Sequence, residues 1–355
     1  MTGIPAFDHH SLGQRVLFGT GQARAHLRTA VVDLGASAPM VLSGHSDRAV
    51  ADAVLGGLAI ESRFDDVVPH VPVEQAEQAR RAAHESGADL LISIGGGSTT
   101  GLAKAVALTT GLPIVAVPTT YAGSEATNVW GITEAARKTT GVDPRVLPHT
   151  IVYDAELTAT LPKELSVASM CNALAHCIDS LWAPRANPIT TALATEGIRA
   201  LAAALPEVAY RPESIDGREN ALYGAYLAAV AFAGAGSGLH HKICHVLGGR
   251  FDLPHAQTHT IVLPHVLAFN ATHAPAGVER VAEALAATDA IDGLRTLLIS
   301  AEAPTALKDL GLHEEELDEA VDLVLPAVPP SNPRPVTRAN LARLLRDAWS
   351  GSLMV

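Results

Sequence analysis

The arrangement of short apolar runs in the first 150 or so residues constrains the fold more than any other feature of this sequence. Six of these runs are typical of buried strands: "RVLFG" at 15–19, "APMVLSG" at 38–44, "IESRFDDV" at 60–67, "DLLISIG" at 89–95, "PIVAVPT" at 113–119 and "TIVYD" at 150–154. Amphipathic stretches lie between several of them, and the one at 72–88 has a helix start at Pro72 and a stop at Gly87. This alternation predicts a mostly parallel sheet with helices on both faces.

The second half of the chain has a different pattern. After Pro162, segments rich in alanine and leucine show helical periodicity, and convincing strand alternation is absent. A chain of 355 residues is long enough for two domains with separate cores. We therefore predict an α/β domain over residues 1–160 and an all-helical domain over residues 161–355.

Composition excludes several classes of protein. Hydrophobic residues make up 48% and charged residues 17%, which is typical of a folded globular protein. The net charge of −12 and the lack of a basic run argue against a nucleic-acid partner. No run of about 18 apolar residues predicts a membrane span, and the N-terminal residues do not resemble a signal peptide. Three cysteines without C-x-x-C spacing indicate reduced thiols, so we expect a cytoplasmic protein.

Three consecutive glycines, Gly95 to Gly97, follow the fourth strand-like run and precede a helix-like pattern. They either make a tight turn or expose backbone N–H groups to an anion at the helix N-terminus. Their spacing fits neither G-x-G-x-x-G nor G-x-x-x-x-G-K-[ST]. A second hydroxyl-rich loop, 118–127, follows the next strand, and ligands of such sheets bind at the carboxyl ends of strands. Together the two loops favour a nucleotide site.

Histidines are concentrated in one part of the helical half. Six of the 16 fall between residues 240 and 265: His240, His241, His245, His255, His259 and His265. His241 and His245 are four residues apart and project from one helix face, and Asn172 and His176 repeat that spacing upstream. Convergent pairs of this kind build metal or proton-transfer sites between helices.

The alternative is that these histidines are hydrogen-bonded core residues, which is the commoner role of a single histidine on an apolar helix. We favour a functional site for the cluster, because several buried rings would each need a polar partner. For His259 and His265 taken singly we keep the structural interpretation. We expect His240 on a different helix face, in solvent.

These loops and histidines together resemble the iron-containing alcohol dehydrogenase family, which shares its two-domain fold with dehydroquinate synthase and glycerol dehydrogenase. The matching segments run in order along nearly the whole chain, among them "ADLLISIGGGSTTGLAKAVAL", "PIVAVPTTYAGSEAT", "NALAHCIDSL", "HHKICHVLGGRFDLPH" and "NPRPVTRANLARLL". The finer detail is most similar to a subgroup that reduces the carbon–carbon double bond of a small keto-dicarboxylate with NADH or NADPH, late in aromatic-ring degradation. Gly101 and Asn172 stand where the broader family tends to carry acidic residues.

The resemblance implies that both loops of the α/β domain hold the cofactor. Pyrophosphate would be bound by Gly95, Gly96, Gly97 and Ser98. The nicotinamide half would be bound by Thr119 and Thr120, and Lys138 would meet an anionic group of the cofactor or substrate. NADH-specific relatives carry an aspartate where this sequence has Ser43 and Gly44, with Arg48 nearby. We therefore expect both NADH and NADPH to be accepted.

The resemblance also bears on metal content. The metal ligands of the metal-dependent relatives, an aspartate and three histidines, fall here on Asn172, His176, His241 and His255. An amide is a weaker donor than a carboxylate, which lowers the expectation of a metal, although three histidines can still hold zinc with a water. The subgroup works without an essential metal, so we expect none; if one is present, its ligands would be His176, His241 and His255.

The implied chemistry assigns roles to the cluster. His241 and His245 would act at the reacting enone, one donating to the developing oxyanion and the other close to the proton path. His176 and His255 would shape the pocket and hold a substrate carboxylate. Further substrate contacts are expected from Asn172, Tyr121, Lys242 and Arg145.

Two other functions stay open for the same fold. A metal-dependent alcohol or aldehyde oxidoreductase would lose activity on chelation. A dehydroquinate-synthase-like lyase would return the hydride within one turnover, and the missing aspartate argues against it. The resemblance also implies a homodimer.

Overall fold

The computed structural model describes residue 4 and residues 6–134 and 137–352. It divides into two compact units. One unit is Leu12–Leu161, and the other is Pro162–Val355 together with the residues that precede Leu12. The first unit is α/β and the second is helical, which confirms the predicted fold class.

The α/β unit contains eight strands in the described part of the chain: β1 (Arg15–Phe18), β2 (Pro39–Leu42), β3 (Ser62–Phe64), β4 (Leu90–Gly95), β5 (Ile114–Pro118), β6 (Val129–Glu134), β7 (Arg137–Val142) and β8 (Thr150–Tyr153). Six of them form one sheet in the order β1-β8-β5-β4-β2-β3, and every neighbouring pair is parallel. These six are the strands that the apolar runs predicted, although β3 is shorter than its run. Their carboxyl ends lie at one edge of the sheet.

Helices cover both faces of this sheet: α1 (Ala23–Asp33), α2 (Arg48–Leu55), α3 (Val73–Glu85) and α4 (Gly97–Thr110). Side chains of a strand alternate between faces, so Ile92 packs in the core with α1 and α2, whereas Leu91 packs in the core with α3 and α4. Every residue of β2 and β4 is buried, as expected for central parallel strands. The predicted start of α3 at Pro72 and its stop at Gly87, where φ is +64°, are confirmed.

The β6–β7 hairpin was not predicted from the sequence. Its strands pair antiparallel with Val129 opposite Val142, apart from the main sheet. The hairpin is attached through Thr133, whose N–H donates to Val71 O at 3.0 Å and whose hydroxyl donates to His70 O at 2.8 Å.

The helical unit contains nine α-helices among the described residues: α5 (Lys163–Ser180), α6 (Pro188–Tyr210), α7 (Ile215–Ala235), α8 (Leu239–Phe251), α9 (His255–Asn270), α10 (Pro275–Ala284), α11 (Ala290–Ser300), α12 (Leu317–Val324) and α13 (Arg338–Ser350). α5 packs against α6, α7, α8 and α9, while α8, α9, α12 and α13 share an apolar core. In the described chain no single helix is long and apolar enough to cross a membrane, and only the bent pair α7 and α8 passes that test together.

Candidate active site

The glycine run lies where β4 ends and α4 begins, and close packing explains two of its members. Gly95 has a φ of +151°, and a Cβ there would collide with Thr99 Oγ1 and lie 3.2 Å from Asp47 Oδ2. A Cβ on Gly96 would lie 2.9 Å from Thr120 Cγ2. Larger residues would therefore push apart the loops that follow β2, β4 and β5.

The third glycine opens α4, and this helix end is suited to an anion. No side chain of the described residues caps the helix at Gly96, and the first turn of the helix starts at Gly97 and Ser98. Gly96, Gly97 and Ser98 are partly exposed. An uncapped helix N-terminus offers free N–H groups and the positive end of the helix dipole, so these residues fit the pyrophosphate of a dinucleotide.

The loop after β5 is tied to the glycine run. Thr119 N donates to Gly95 O at 3.2 Å, and Thr119 Oγ1 donates to Asp47 Oδ1 at 3.0 Å. Burial raises the pKa of Asp47, and the hydrogen bond from Thr119 opposes that rise. The predicted residues Thr119 and Thr120 thus lie beside the glycines, and Asp47 is an additional member that the sequence did not indicate.

Lys104 on α4 holds the remainder of the loop after β5 in place through hydrogen bonds. Its buried Nζ donates to Ser124 O, Thr127 O, Thr127 Oγ1 and Val129 O at 2.6–3.1 Å. Burial lowers the pKa of Lys104 to about 7, and the nearby Glu125 opposes that shift. The signal in the sequence was a single lysine in the otherwise apolar "GLAKAVAL".

The remaining predicted residues of the α/β unit have other partners. Ser43 is fully buried, and its hydroxyl is bonded to Asp65 and Arg63. Tyr121 is fully buried and donates to Thr158 Oγ1 at 3.1 Å, which gives it a packing role, and we leave it out of the site proposed below. The backbone of Lys138 belongs to β7, and its side chain lies outside the described residues.

Arg145 is exposed and forms a two-point hydrogen bond with the Asp143 carboxylate at 2.7 and 3.0 Å. The Arg145 guanidinium lowers the pKa of Asp143 to about 2. Asp143 therefore already binds the Arg145 guanidinium, so we leave Arg145 out of the proposed site as well.

In the helical unit, six histidine rings from three helices gather in one cluster: His176 from α5, His240, His241 and His245 from α8, and His255 and His259 from α9. We call this set the histidine cluster. Phe232 of α7 lies against the rings of His176 and His241, at centroid distances of 4.7 and 4.4 Å. His245 and His255 form the exposed side of the cluster, whereas His241 is buried.

His241 is held by a carboxylate that the sequence did not indicate. Its Nδ1 lies 2.7 Å from Asp179 Oδ2, and the same oxygen accepts from Gly238 N at 2.8 Å. A Cβ on Gly238 would collide with Asp179, so glycine is required at the start of α8. Asp179 lies three residues after His176 on α5, and this i,i+3 spacing is the signal that could have found it.

Burial governs the charge of the cluster. It lowers the pKa of His176, His240, His241 and His259 well below the ordinary value, and the neighbouring imidazoles lower each further. Burial raises the pKa of Asp179. These rings are therefore neutral near pH 7, and the buried Asp179 and His241 pair favours the state without net charge.

The prediction that His240 is solvated is wrong. Its side chain is buried, and its Nε2 lies 2.9 Å from His259 Nδ1 and 3.6 Å from Cys244 Sγ. α8 packs against α5, α9 and α12, so it has no solvated face at this position.

His240, Cys244 and His259 each offer one donor atom for a metal ion, and these atoms lie within 4.8 Å of one another. However, His240 Nδ1 and His259 Nε2 have no partner in the described chain, whereas a metal-bound histidine usually donates its second nitrogen to an oxygen.

The donor set of the metal-dependent relatives can be tested in the same way. Asn172 Oδ1, His176 Nδ1 and His241 Nε2 are buried and unpartnered within the described part of the molecule. The rings of His176 and His241 are nearly parallel, with an interplanar angle of 12° and centroids 4.9 Å apart. The set also contains no carboxylate. A set of neutral amide and imidazole donors holds a divalent metal less strongly than one that includes a carboxylate.

The two predicted substrate contacts of the helical unit lie on α5 and α8. Asn172 is almost fully buried on α5, one turn before His176. Lys242 is half-buried on α8, next to His241. Both are placed by their helices beside members of the histidine cluster.

A family model described as "Iron-containing alcohol dehydrogenase" matches residues 13–155, and one described as "Fe-containing alcohol dehydrogenase family, C-terminal" matches residues 166–349. The chain belongs to the iron-containing alcohol dehydrogenase family, which confirms the resemblance found from its motifs. Maleylacetate reductase of Burkholderia cepacia is 45% identical over 341 residues, which cover 95% of this chain and 96% of that protein.

Two solved structures are similar over the full length. The iron-containing alcohol dehydrogenase of Corynebacterium glutamicum is 57% identical with a TM-score of 0.97, covering 99% of this chain and 98% of that one. Maleylacetate reductase from Agrobacterium tumefaciens is 39% identical with a TM-score of 0.94, covering 99% of this chain and all of that one.

Proposed function

We propose that this protein reduces the carbon–carbon double bond of maleylacetate with a nicotinamide cofactor and gives 3-oxoadipate. The observation that carries the proposal is the uncharged donor set of the histidine cluster, in which Asn172 replaces a carboxylate and the imidazoles have unpartnered nitrogens. Such a set suits an anionic substrate, because a buried carboxylate at this position would repel it. The similarity of the whole chain to maleylacetate reductases supports the choice of substrate.

The cofactor is assigned to the carboxyl edge of the α/β sheet. Gly95, Gly96, Gly97 and Ser98 would hold the pyrophosphate at the N-terminus of α4, and Thr119 and Thr120 would contact the nicotinamide half. The bound cofactor supplies a hydride to the alkene carbon that is β to the substrate ketone. The resulting negative charge on the ketone oxygen must then be stabilised, and a proton must reach the α carbon.

His241 is suited to the stabilising role. A pair of Asp179 and His241 without net charge holds two protons, one between Oδ2 and Nδ1 and one on His241 Nε2. Nε2 is then a hydrogen-bond donor, and it has no other partner among the described residues. Asp179 and Gly238 keep the ring in this orientation, so the donor is in place before the charge develops.

Proton delivery is assigned to His245, because it lies on the exposed side of the cluster and exchanges protons with water. His176 and His255 would then shape the pocket, and Lys242 and Asn172 would contact the substrate carboxylates. The lack of a carboxylate in the donor set supports a reaction without a bound metal. We further propose a homodimer, and a cytoplasmic location consistent with three buried, unpaired cysteines.

The test is to follow cofactor absorbance on addition of maleylacetate and to identify the product. We expect stoichiometric oxidation of the cofactor and formation of 3-oxoadipate. In a parallel assay, NAD⁺ is supplied with primary alcohols. Alcohol oxidation without maleylacetate turnover would contradict the proposal and favour an alcohol dehydrogenase.

A further inference from the structure

A carboxylate lies at the carboxyl end of β2, and it belongs to Asp65, the residue that follows β3. Neither β2 nor the two residues after it, Ser43 and Gly44, contain an acidic side chain. β2 and β3 are parallel with Leu42 opposite Phe64, so the residues that follow, Ser43 and Asp65, are neighbours. Ser43 Oγ lies 3.2 Å from Asp65 Oδ1, and Ser43 N donates to Phe64 O at 3.1 Å. The Asp65 side chain therefore lies at the end of β2, although Asp65 itself follows the adjacent strand β3.

The Asp65 carboxylate is fixed in this place. Arg63 Nε donates to Asp65 Oδ1 at 2.6 Å, and Arg63 Nη2 donates to Ser43 Oγ at 3.1 Å. Arg63 also pairs with Asp52 of α2, so its guanidinium is held between two carboxylates. The side chains of Arg63 and Asp65 are only 18% and 19% exposed, which limits their freedom to rearrange.

Arg48 is the cation near the end of β2 that could contact the 2′-phosphate of NADPH, and it already forms an ion pair with Asp65. Arg48, at the start of α2, places Nη1 3.3 Å from Asp65 Oδ2. Its side chain is 58% exposed, so it can turn away once this partner loses its charge. In the folded protein, Asp65 is thus the carboxylate at this strand end, and it restrains Arg48.

In nucleotide-binding α/β sheets, an acidic residue at this strand end bonds the adenosine ribose hydroxyls, whereas an arginine accommodates a 2′-phosphate. We infer that Asp65, held by Arg63 and Ser43, makes this protein select NADH over NADPH. The inference rests on the proposed nicotinamide cofactor and identifies which form is taken. It differs from the tolerance of both cofactors expected from Ser43, Gly44 and Arg48, because the carboxylate belongs to Asp65, the residue that follows β3.

Binding of NADH and of NADPH can be measured by nicotinamide fluorescence without any substrate. We expect the wild-type protein to bind NADH about tenfold more tightly or better, and Asp65→Asn to reduce the ratio of the two Kd values by about tenfold. Asp33→Asn is the matched control with the same change in charge. Asp33 ends α1 and pairs with Arg15, the first residue of β1, at the opposite edge of the sheet, so the ratio should not change.

A second variant tests the role of Arg48. In the Asp65→Asn background, Arg48→Ala should remove most of the gain in NADPH affinity. Equal wild-type affinities for the two cofactors, or an unchanged ratio in an Asp65→Asn protein that still binds NADH, would overturn the inference. Gain of NADPH affinity that persists without Arg48 would also count against the mechanism.

A salt series on the wild-type protein covers the case in which Asp65→Asn does not fold. Charge repulsion is screened by salt, so the preference should shrink between about 0.05 M and about 0.5 M KCl. A preference that does not depend on salt would overturn the inference. The proposed function would fail through a different result. If the protein selects NADH but does not reduce maleylacetate, the inference on the cofactor stands and the proposed substrate is refuted.

Discussion

The carboxyl edge of the α/β sheet and the histidine cluster are built in opposite ways. Where β4 ends at the sheet edge, the groups that fit a ligand belong to the backbone, and side chains are absent at Gly95 and Gly96 because neighbouring threonines occupy the space. In the histidine cluster, the reactive groups are side chains from three helices, positioned by hydrogen bonds such as that between Asp179 and His241. We therefore expect the end of β4 to bind through its shape, and the histidine cluster to depend on the identity of each residue.

The two regions share one energetic feature. Neither the first N–H groups of α4 nor several buried imidazole nitrogens have a side-chain partner within the described chain, and each such group that is buried costs about 1–3 kcal/mol in the folded protein. Such groups are expected where a ligand completes them. The comparison therefore predicts that substitutions at the sheet edge change cofactor affinity, and that substitutions in the histidine cluster change turnover.

The largest effect is expected for the histidine cluster. His241→Ala removes the donor that faces the developing oxyanion, and we expect kcat to fall about 10²- to 10³-fold with saturating cofactor. His245→Ala removes the proposed proton carrier and should lower kcat about 10²-fold. Affinity for the cofactor should stay within about twofold, since neither ring belongs to the α/β unit.

The control for these variants is His273→Ala, an exposed histidine in the same helical unit. It should turn over at the wild-type rate. Near-wild-type rates in both His241→Ala and His245→Ala would refute the assignment, and with it the idea that this region depends on residue identity.

Lys104→Met tests whether the sheet edge needs the buried amine of Lys104 for its shape. The variant leaves the acceptors Ser124 O, Thr127 O and Val129 O without their donor, so the free energy of unfolding should fall by about 2–4 kcal/mol in urea titrations. Lys163→Met, which removes the more exposed pair with Glu302, should cost less than about 1 kcal/mol. Equal losses in the two variants would contradict the structural role of Lys104.

Gly96→Ala addresses the glycine run with a smaller expected effect. The new Cβ would lie 2.9 Å from Thr120 Cγ2, so the loop after β5 must move by a few tenths of an ångström. We expect the KM for the cofactor to rise about tenfold while kcat changes little. Gly13→Ala is the matched control, because a Cβ there has no neighbour within 4 Å. A fall in kcat at constant KM would show that the loop affects the chemical step.

Much of the sheet edge could be predicted from the sequence because its signals are local. Apolar runs located the six parallel strands, and glycines after one of them indicated close approach of the backbone. The β6–β7 hairpin escaped prediction because its strands are only partly buried and therefore lack a clear apolar alternation. Asp47 and Asp65 escaped because their roles arise from neighbours on other strands.

The histidine cluster was predicted as a group, but its internal partners were not. Spacing of four residues placed His241 with His245 and Asn172 with His176, because those pairs lie on single helices. The environment of His240 depends on three helices that pack around α8, and the single-face argument therefore failed there. Contacts between helices follow from tertiary packing, which residue spacing along one helix does not specify.

The smallest effect is expected from removing metal ions, and it tests whether the histidine cluster acts through its own protons. After dialysis against a chelator, maleylacetate reduction should stay within about twofold of the untreated rate, because the donor set has Asn172 in place of a carboxylate that would hold an ion tightly. The metal content of the same sample is measured in parallel. A loss of activity that iron or zinc restores in proportion to bound metal would show that the histidine cluster holds an ion, and the contrast between the two regions would then rest on metal ligation rather than on proton transfer.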